Sequence, residues 1–273
     1  MANRIAMIGG GNMATALVAG LIKNGFDPVT IDVLDRNEHK RQMFAQTMGV
    51  VAHDAPGEWL KEASVVVLAV KPQGLAETCA TIVPFFNPDA LMFSIAAGVR
   101  IETIARWTKT NKVVRTMPNT PSLVGAGVIG FYAPESLDVA VVDFAKQVAA
   151  AMGEVIDVRS EQELDLLSTV SGSGPAYVFR FIEALEAATI KRGFDPAGAR
   201  RMAKLTLWGA SKLAMESSET PAKLRENVTS KKGTTAEALR IMQEHDFMGM
   251  MDEAIQAAYD RNQVLATELD KAA

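Results

Sequence analysis

Two short turns in the C-terminal half carry side chains suited to holding a small anion: Ser171-Gly172-Ser173-Gly174-Pro175-Ala176-Tyr177 and Thr229-Ser230-Lys231-Lys232-Gly233-Thr234-Thr235. Each reads as the opening of a helix. Pro175 suits a first helical position, where its missing N–H would have no partner in any case. Thr234 and Glu237 have the spacing of a capping box. A helix start exposes unpaired N–H groups and a partial positive charge, so two of them facing one cleft would hold a carboxylate. Taken singly, either turn is equally well an ordinary helix cap. Their chemistry depends on what the rest of the chain brings to them.

The other end of the chain supplies a nucleotide-binding pattern. Arg4-Ile5-Ala6-Met7-Ile8 is a short apolar run of buried-strand type. Gly9-Gly10-Gly11-Asn12-Met13-Ala14 follows, then an apolar helical stretch from Thr15 to Lys23. This is G-x-G-x-x-G/A with its strand and helix in place. Gly9 permits the tight turn, Gly11 lets the backbone approach a pyrophosphate, and Ala14 allows close helix–strand packing. Gly25 stops the helix, and a second strand is expected over Val29 to Leu34, the spacing of a βαβ unit.

The end of that second strand should select the cofactor. Asp35 stands where an acid would accept from the ribose hydroxyls of NAD(H), whereas Arg36 and Lys40 could pair with the 2′-phosphate of NADP(H). Alternatively, the run from Arg36 to Arg41 is the solvated start of a helix.

The composition is that of a metabolic enzyme. A chain of 273 residues has room for a large core and for two domains. A net charge of −4 gives no electrostatic reason to expect a nucleic-acid partner. No stretch reaches the apolar length of a membrane span. The first strand begins almost at Met1, so no signal peptide is expected. With one cysteine, Cys79, neither an intramolecular disulfide nor a cysteine-based zinc site is available, and a cytoplasmic location is expected. His39, His53 and His245 have no metal spacing and are expected at the surface.

Residues 1 to about 158 alternate strand and helix. Further strands are expected at Val50–Ala52, Ser64–Val70, Leu91–Ala97, Lys112–Met117, Val128–Tyr132 and Glu154–Val158. Continuous apolar runs of this kind mark strands covered on both faces, hence a doubly wound α/β sheet of Rossmann type. Ligands of such sheets bind beyond the carboxyl ends of the strands. Those ends carry Ala69-Val70-Lys71-Pro72, Ala96-Ala97-Gly98 and Thr116-Met117-Pro118-Asn119-Thr120-Pro121, leaving Lys71, Asn119 and Thr120 to supply donors. From Ser160 the pattern is wholly helical, so residues 159–273 are expected to form an all-α substrate-binding and dimerisation domain. Helices are expected over Ala176–Arg192, from Asp195-Pro196 toward Ser217, and over Met248–Leu269. Met202, Met215, Met242, Met248, Met250 and Met251 belong to the core or to a subunit interface. So thin a helical layer needs a second copy to bury its apolar faces.

These residues resemble the pyrroline-5-carboxylate reductase family over essentially the whole chain. The matching segments are Gly9 to Ala14, Ala69 to Pro72, Ala96 to Val99, Arg115 to Pro121, Ser171 to Tyr177 and Asn227 to Thr235, the last two being the most specific. The resemblance implies a Rossmann domain over residues 1–158 and a helical domain that interlocks with a partner's, with a ring of five dimers a frequent larger assembly. It implies reduction of L-1-pyrroline-5-carboxylate, a cyclic imine carboxylate, to L-proline by NADPH, with NADH as the alternative cofactor. Carried over, Gly9, Gly11, Asn12, Met13, Asp35, Arg36, Ala69, Val70, Lys71 and Pro72 would hold the cofactor, with Asn119 and Thr120 flanking its nicotinamide. Ser171, Gly172, Ser173, Gly174 and Pro175 would pack beside the substrate. Ser230, Gly233 and Thr234 fall in the substrate loop, and Thr235 would hydrogen-bond the ring nitrogen.

One segment departs from the family. Its usual Ser-Pro-Gly-Gly is replaced by Ser230-Lys231-Lys232-Gly233, so Lys232 would be strained wherever a positive φ is required. Alternatively, the lysines add attraction for the substrate carboxylate. Two further readings stand beside imine reduction. A β-hydroxyacid dehydrogenase of similar architecture would carry a lysine in the helix after the glycine turn, and none lies between Pro175 and Leu185. A non-catalytic dinucleotide sensor would need no second, carboxylate-binding site.

Overall fold

The computed structural model describes residues 4–271, which form two compact units: 4–173 together with 258–271, and 174–257. The first is built on an eight-stranded sheet ordered β3-β2-β1-β4-β5-β6-β7-β8. Its strands are β1 (Arg4–Ile8), β2 (Ile31–Leu34), β3 (Val51–His53), β4 (Ala63–Leu68), β5 (Leu91–Ser94), β6 (Val113–Met117), β7 (Gly127–Tyr132) and β8 (Gly153–Asp157). All neighbouring pairs are parallel except β6 with β7. The order reverses at β1, which lies between β2 and β4, and that is the crevice where doubly wound sheets bind ligands. The second strand is shorter than its sequence suggests. Pro28–Thr30 form a 3-10 turn capped by the Asp27 carboxylate, because proline cannot donate to a ladder.

Burial on both faces explains the unbroken apolar runs. Ile5 and Met7 of β1, with Val65 and Val67 of β4, join one core with α1 (Asn12–Lys23), α2 (Glu38–Met48) and α5 (Val139–Ala150). Their alternate neighbours Ala6, Ile8, Val66 and Leu68 face a second core with α3 (Leu75–Ile82) and α4 (Ile101–Thr108). The two-residue period of a strand thus divides one sequence between two cores. Cys79 is buried in the second, where desolvation pushes its thiol up to about 12. His53 is half-buried, not at the surface: its ring stacks on Trp59 with centroids 4.0 Å apart, and its Nε2 lies 2.8 Å from Asp32.

After β8 the chain is helical. Ser160 caps α6 (Glu161–Leu167), its hydroxyl accepting from the Glu163 N–H at 3.1 Å. The second unit contains α7 (Gly174–Ile190), α8 (Pro196–Glu216), α9 (Pro221–Asn227), α10 (Thr234–Glu244) and the first part of α11 (Phe247–Lys271), whose remainder belongs to the first unit. Asp195 caps α8 and Thr220 caps α9, each followed by proline at the first helical position. Within residues 174–257 only two side chains are buried, those of Ala199 and Ala203.

Candidate functional site

The glycine loop after β1 is shaped by its residue types. Gly9 has φ +103°, and a Cβ there would lie 2.9 Å from both the Ala69 carbonyl oxygen and Val70, so conformation and space both demand glycine. Gly11 differs. Its φ is −78°, which any residue adopts, and an added Cβ would meet nothing within 4 Å. The protein therefore has no internal reason for glycine at position 11. Gly11 is also the N-cap of α1 and offers no side chain to the first-turn N–H groups, which begin at Asn12 and Met13. An open space at an uncapped helix start fits a pyrophosphate. Ala14 is fully buried, letting α1 pack closely on the sheet.

Beyond β2 lies a cavity of about 330 Å³, lined by Gly9, Leu34, Asp35, Arg36, Asp54 and Val70 among others. The Arg36 guanidinium is exposed and has no protein partner among the described residues. Its backbone is fixed by Arg41, whose Nη1 donates to the carbonyl oxygens of Asp35 (3.0 Å) and Arg36 (2.9 Å). Asp35 is already occupied. Its Oδ2 accepts from the Gly10 N–H at 2.8 Å and from Lys40 at 3.3 Å, and its Oδ1 accepts from the Asn37 N–H at 2.8 Å. Burial alone would push this carboxyl up. The N–H groups of Asn37 and Gly10 and the Lys40 ammonium outweigh it and hold the carboxyl below its ordinary value. Lys40 is thereby paired within the protein.

At the carboxyl ends of β4 and β6 the site residues divide between open and engaged. Ala69 and Val70 are half-buried, and Lys71 precedes a 3-10 turn begun by Pro72 without a protein partner among the described residues. Thr120 is exposed. Asn119 is buried, and its amide is a staple: Nδ2 donates to the Ser171 carbonyl at 2.9 Å and Oδ1 accepts from the Val128 N–H at 3.0 Å. Asn119 therefore fixes the Ser171 turn through its side chain.

A helix opens in that turn, α7 from Gly174, but the chain enters it from another helix and not from a loop. Ser168–Gly172 are π-helical, continuing from α6, and the Ser173 N–H donates back to the Ser168 carbonyl at 3.1 Å. The helix widens by a residue instead of ending, so Ser173 has no free N–H to offer an anion. Gly172 sits against Met117, where a Cβ would come within 3.2 Å. Single-turn π segments are common at functional sites.

A buried ionic cluster braces this turn, and no motif of the sequence marks it. Arg115 on β6 donates to Glu161 at 2.5 Å and to Asp165 at 3.3 Å, and Arg100 holds the other Asp165 oxygen at 2.8 Å. Two guanidinium groups thus meet two carboxylates, which leaves no net charge in the cluster. From α11, Asn262 donates to the Asp165 carbonyl (3.4 Å) and to the Ser168 hydroxyl (3.3 Å). An arginine inside an apolar strand, with two acids four residues apart on a later helix, is the signal by which it could have been found.

The second turn opens α10 differently from expectation. Gly233 is the N-cap, and no side chain caps it. Thr234 and Thr235 are thus the first two helical residues, and the Thr234–Glu237 capping box is not formed. Glu237 pairs instead with Arg240 at 3.0 Å. The loop closes on itself, the Gly233 N–H donating to the Ser230 carbonyl at 3.0 Å. Lys232 has φ +60°, the left-handed conformation foreseen as strained for this residue. Thr235 is half-buried; Ser230 and Thr234 are exposed.

A doubly wound sheet with this loop at its first βα turn defines an NAD(P)H-dependent oxidoreductase of the Rossmann type. Residues 4–98 match the family described as NADP oxidoreductase, coenzyme F420-dependent, and residues 161–265 match that of pyrroline-5-carboxylate reductase dimerisation. The chain is 40% identical to the pyrroline-5-carboxylate reductase of Haemophilus influenzae over 96% of its length and 97% of that protein's. It is 36% identical to that of Pseudomonas aeruginosa, over 97% and 98% respectively. A solved pyrroline-5-carboxylate reductase from Coxiella burnetii superposes with a TM-score of 0.91 at 36% identity, covering 97% of this chain and 99% of that one. The chain belongs to the pyrroline-5-carboxylate reductase family.

Proposed function

We infer that the chain reduces L-1-pyrroline-5-carboxylate to L-proline with NAD(P)H, the last step of proline synthesis. The observation that carries this is a likeness covering 96% of the chain, which includes both hydroxyl-rich turns as well as the glycine loop. NAD(P)H, when bound, supplies the hydride, which goes to the imine carbon while the ring nitrogen carries the proton. Gly9 and Gly11 bring the backbone to the pyrophosphate, and Asn12 and Met13 present N–H groups to it. Arg36 meets the adenosine end, and Ala69, Val70, Lys71, Pro72 and Thr120 border the remainder. Thr235 hydrogen-bonds the ring nitrogen. Ser230, Gly233 and Thr234 hold the substrate, and Ser171 to Pro175 pack beside it.

The chemistry asks little of acid–base groups, since a protonated imine accepts hydride without a strong general acid. Positioning then carries catalysis and can supply roughly 7–11 kcal/mol. The bare apolar side chains of the helical unit, Phe179, Phe181, Leu205 and Trp208 among them, support a homodimer that covers them. A ring of five dimers and a cytoplasmic location complete the proposal. Among the described residues no helix is long and apolar enough to cross a membrane.

The deciding assay follows NADPH and NADH oxidation with pyrroline-5-carboxylate, beside NADP⁺ and NAD⁺ reduction with a 3-hydroxy acid. Turnover of the imine alone is expected. Turnover of the hydroxy acid alone would replace this reading with the dehydrogenase one.

A further inference from the structure

The acid at the end of β2 stands where a ribose acceptor is expected, yet its contacts lie elsewhere. Of the roughly four acceptor sites on a carboxylate, three on Asp35 are taken, by Gly10, Asn37 and Lys40. Gly10 is the middle residue of the glycine pattern, the position at which that pattern accepts any residue. Here a Cβ on residue 10 would fall 3.0 Å from Asp35 Oδ2 and 2.8 Å from the Phe44 ring. Glycine at position 10 and aspartate at position 35 thus fit each other: one leaves the space, and the other fills it and takes the N–H. The same carboxylate pairs Lys40, which leaves Arg36 as the cation of the cavity wall without a protein partner among the described residues. Asp54 and Glu77 line the same cavity, so a phosphate there would be drawn by Arg36 against an acidic background.

We propose that Asp35 is a positioning residue for the glycine loop and not the acceptor of the adenine ribose hydroxyls. It then supports NADPH and NADH equally, and the choice between them falls to Arg36. This rests on the dinucleotide-dependent reading above. A charge-assisted hydrogen bond to a loop N–H is the kind of contact whose loss is felt strongly, because the buried N–H is left without a partner.

The test is fluorescence titration of the full-length protein with NADPH and with NADH, for the parent, for Lys40→Ala, and for Asp35→Ala and Asp35→Asn made in the Lys40→Ala background, so that no ammonium is freed toward a 2′-phosphate. Relative to Lys40→Ala alone, Asp35→Ala is expected to weaken both cofactors by about tenfold and by the same factor, raising both Michaelis constants while saturated turnover stays near that of Lys40→Ala. Asp35→Asn keeps one acceptor for Gly10 and should lie between, and it carries the test if the alanine variant fails to fold. A selective loss of NADH affinity, or a gain for NADPH, would make Asp35 the ribose acceptor and overturn the proposal. Unchanged affinities with a lowered melting temperature would overturn it as well, leaving Asp35 with a local structural role. If the parent protein itself bound neither cofactor, the oxidoreductase reading would fall first.

Discussion

The sheet unit and the helical unit solve the burial problem in opposite ways. Around the sheet, twenty-two fully or nearly fully buried residues pack on one face and seventeen on the other, so the inner strands are covered on both sides within one chain. In residues 174–257 the only buried side chains are two alanines, while Trp208 is 64% exposed, Phe179 57% and Leu205 52%. The same hydrophobic effect drives both, at roughly 1.5–3 kcal/mol for each large side chain taken from water. What differs is where the covering surface comes from. A doubly wound sheet carries its own helices, whereas a thin helical layer with bare aromatic residues takes its cover from a second copy.

The sharpest way to break this contrast is to put charge on the helical face. Phe181→Asp combined with Trp208→Glu should leave the chain monomeric in light scattering at micromolar concentration and unfold the helical unit, while the sheet unit keeps its melting transition. A dimer that survives would refute the need for a partner. Arg115→Met addresses the sheet unit, where it strands Glu161 without its guanidinium. The expected cost is roughly 3–5 kcal/mol in thermal or urea unfolding, partly restored by adding Glu161→Gln. No loss would mean that the cluster is solvated in solution.

Gly11→Val separates binding from folding. Since the new side chain enters open space, the melting temperature should hold while NADPH binding is lost in fluorescence titration. Unchanged affinity would remove the loop from the cofactor site. On the helical side, Thr235→Ala should lower turnover by roughly 10- to 100-fold, about 1.4–2.7 kcal/mol, with NADPH affinity unaffected and most activity kept in Thr235→Ser. Lower thermal stability with normal turnover would reduce Thr235 to a support for the helix start. The smallest effect is expected of Lys232→Gly. Relief of the left-handed conformation, offset by the greater freedom of glycine when unfolded, should raise stability by about 0.5–1 kcal/mol. A lower melting temperature would show that Lys232 has contacts worth more than its strain.

The sheet was legible because burial on both faces writes itself as unbroken apolar runs; all eight strands lie where those runs predict, within a few residues. The glycine loop was legible for a related reason, since each of its residues answers a local steric demand. The site was less so. Asp35 and Asn119 stand where a ligand would be met, but folding brings Gly10, Val128 and Ser171 to their polar atoms across sequence separations that no local pattern records. The turn Ser171–Tyr177 does open a helix, α7 from Gly174, but the π-helical segment Ser168–Gly172 that leads into it has no signature of its own in the sequence. The short α9 went unnoticed although Thr220-Pro221 spells a cap followed by a first-turn proline.

The single thiol has a consequence for following the molecule in motion. Cys79 is walled in by the α3 face of the sheet and keeps its proton up to about pH 12, so it has neither the access nor the thiolate needed to react with maleimides or disulfide reagents. The native protein therefore offers no reactive thiol. One cysteine introduced at any exposed position, in either unit, would be the sole point of attachment for a spin label or a dye. Movements of the sheet and helical units can then be reported one position at a time, with no need to remove the residue that already fills its core.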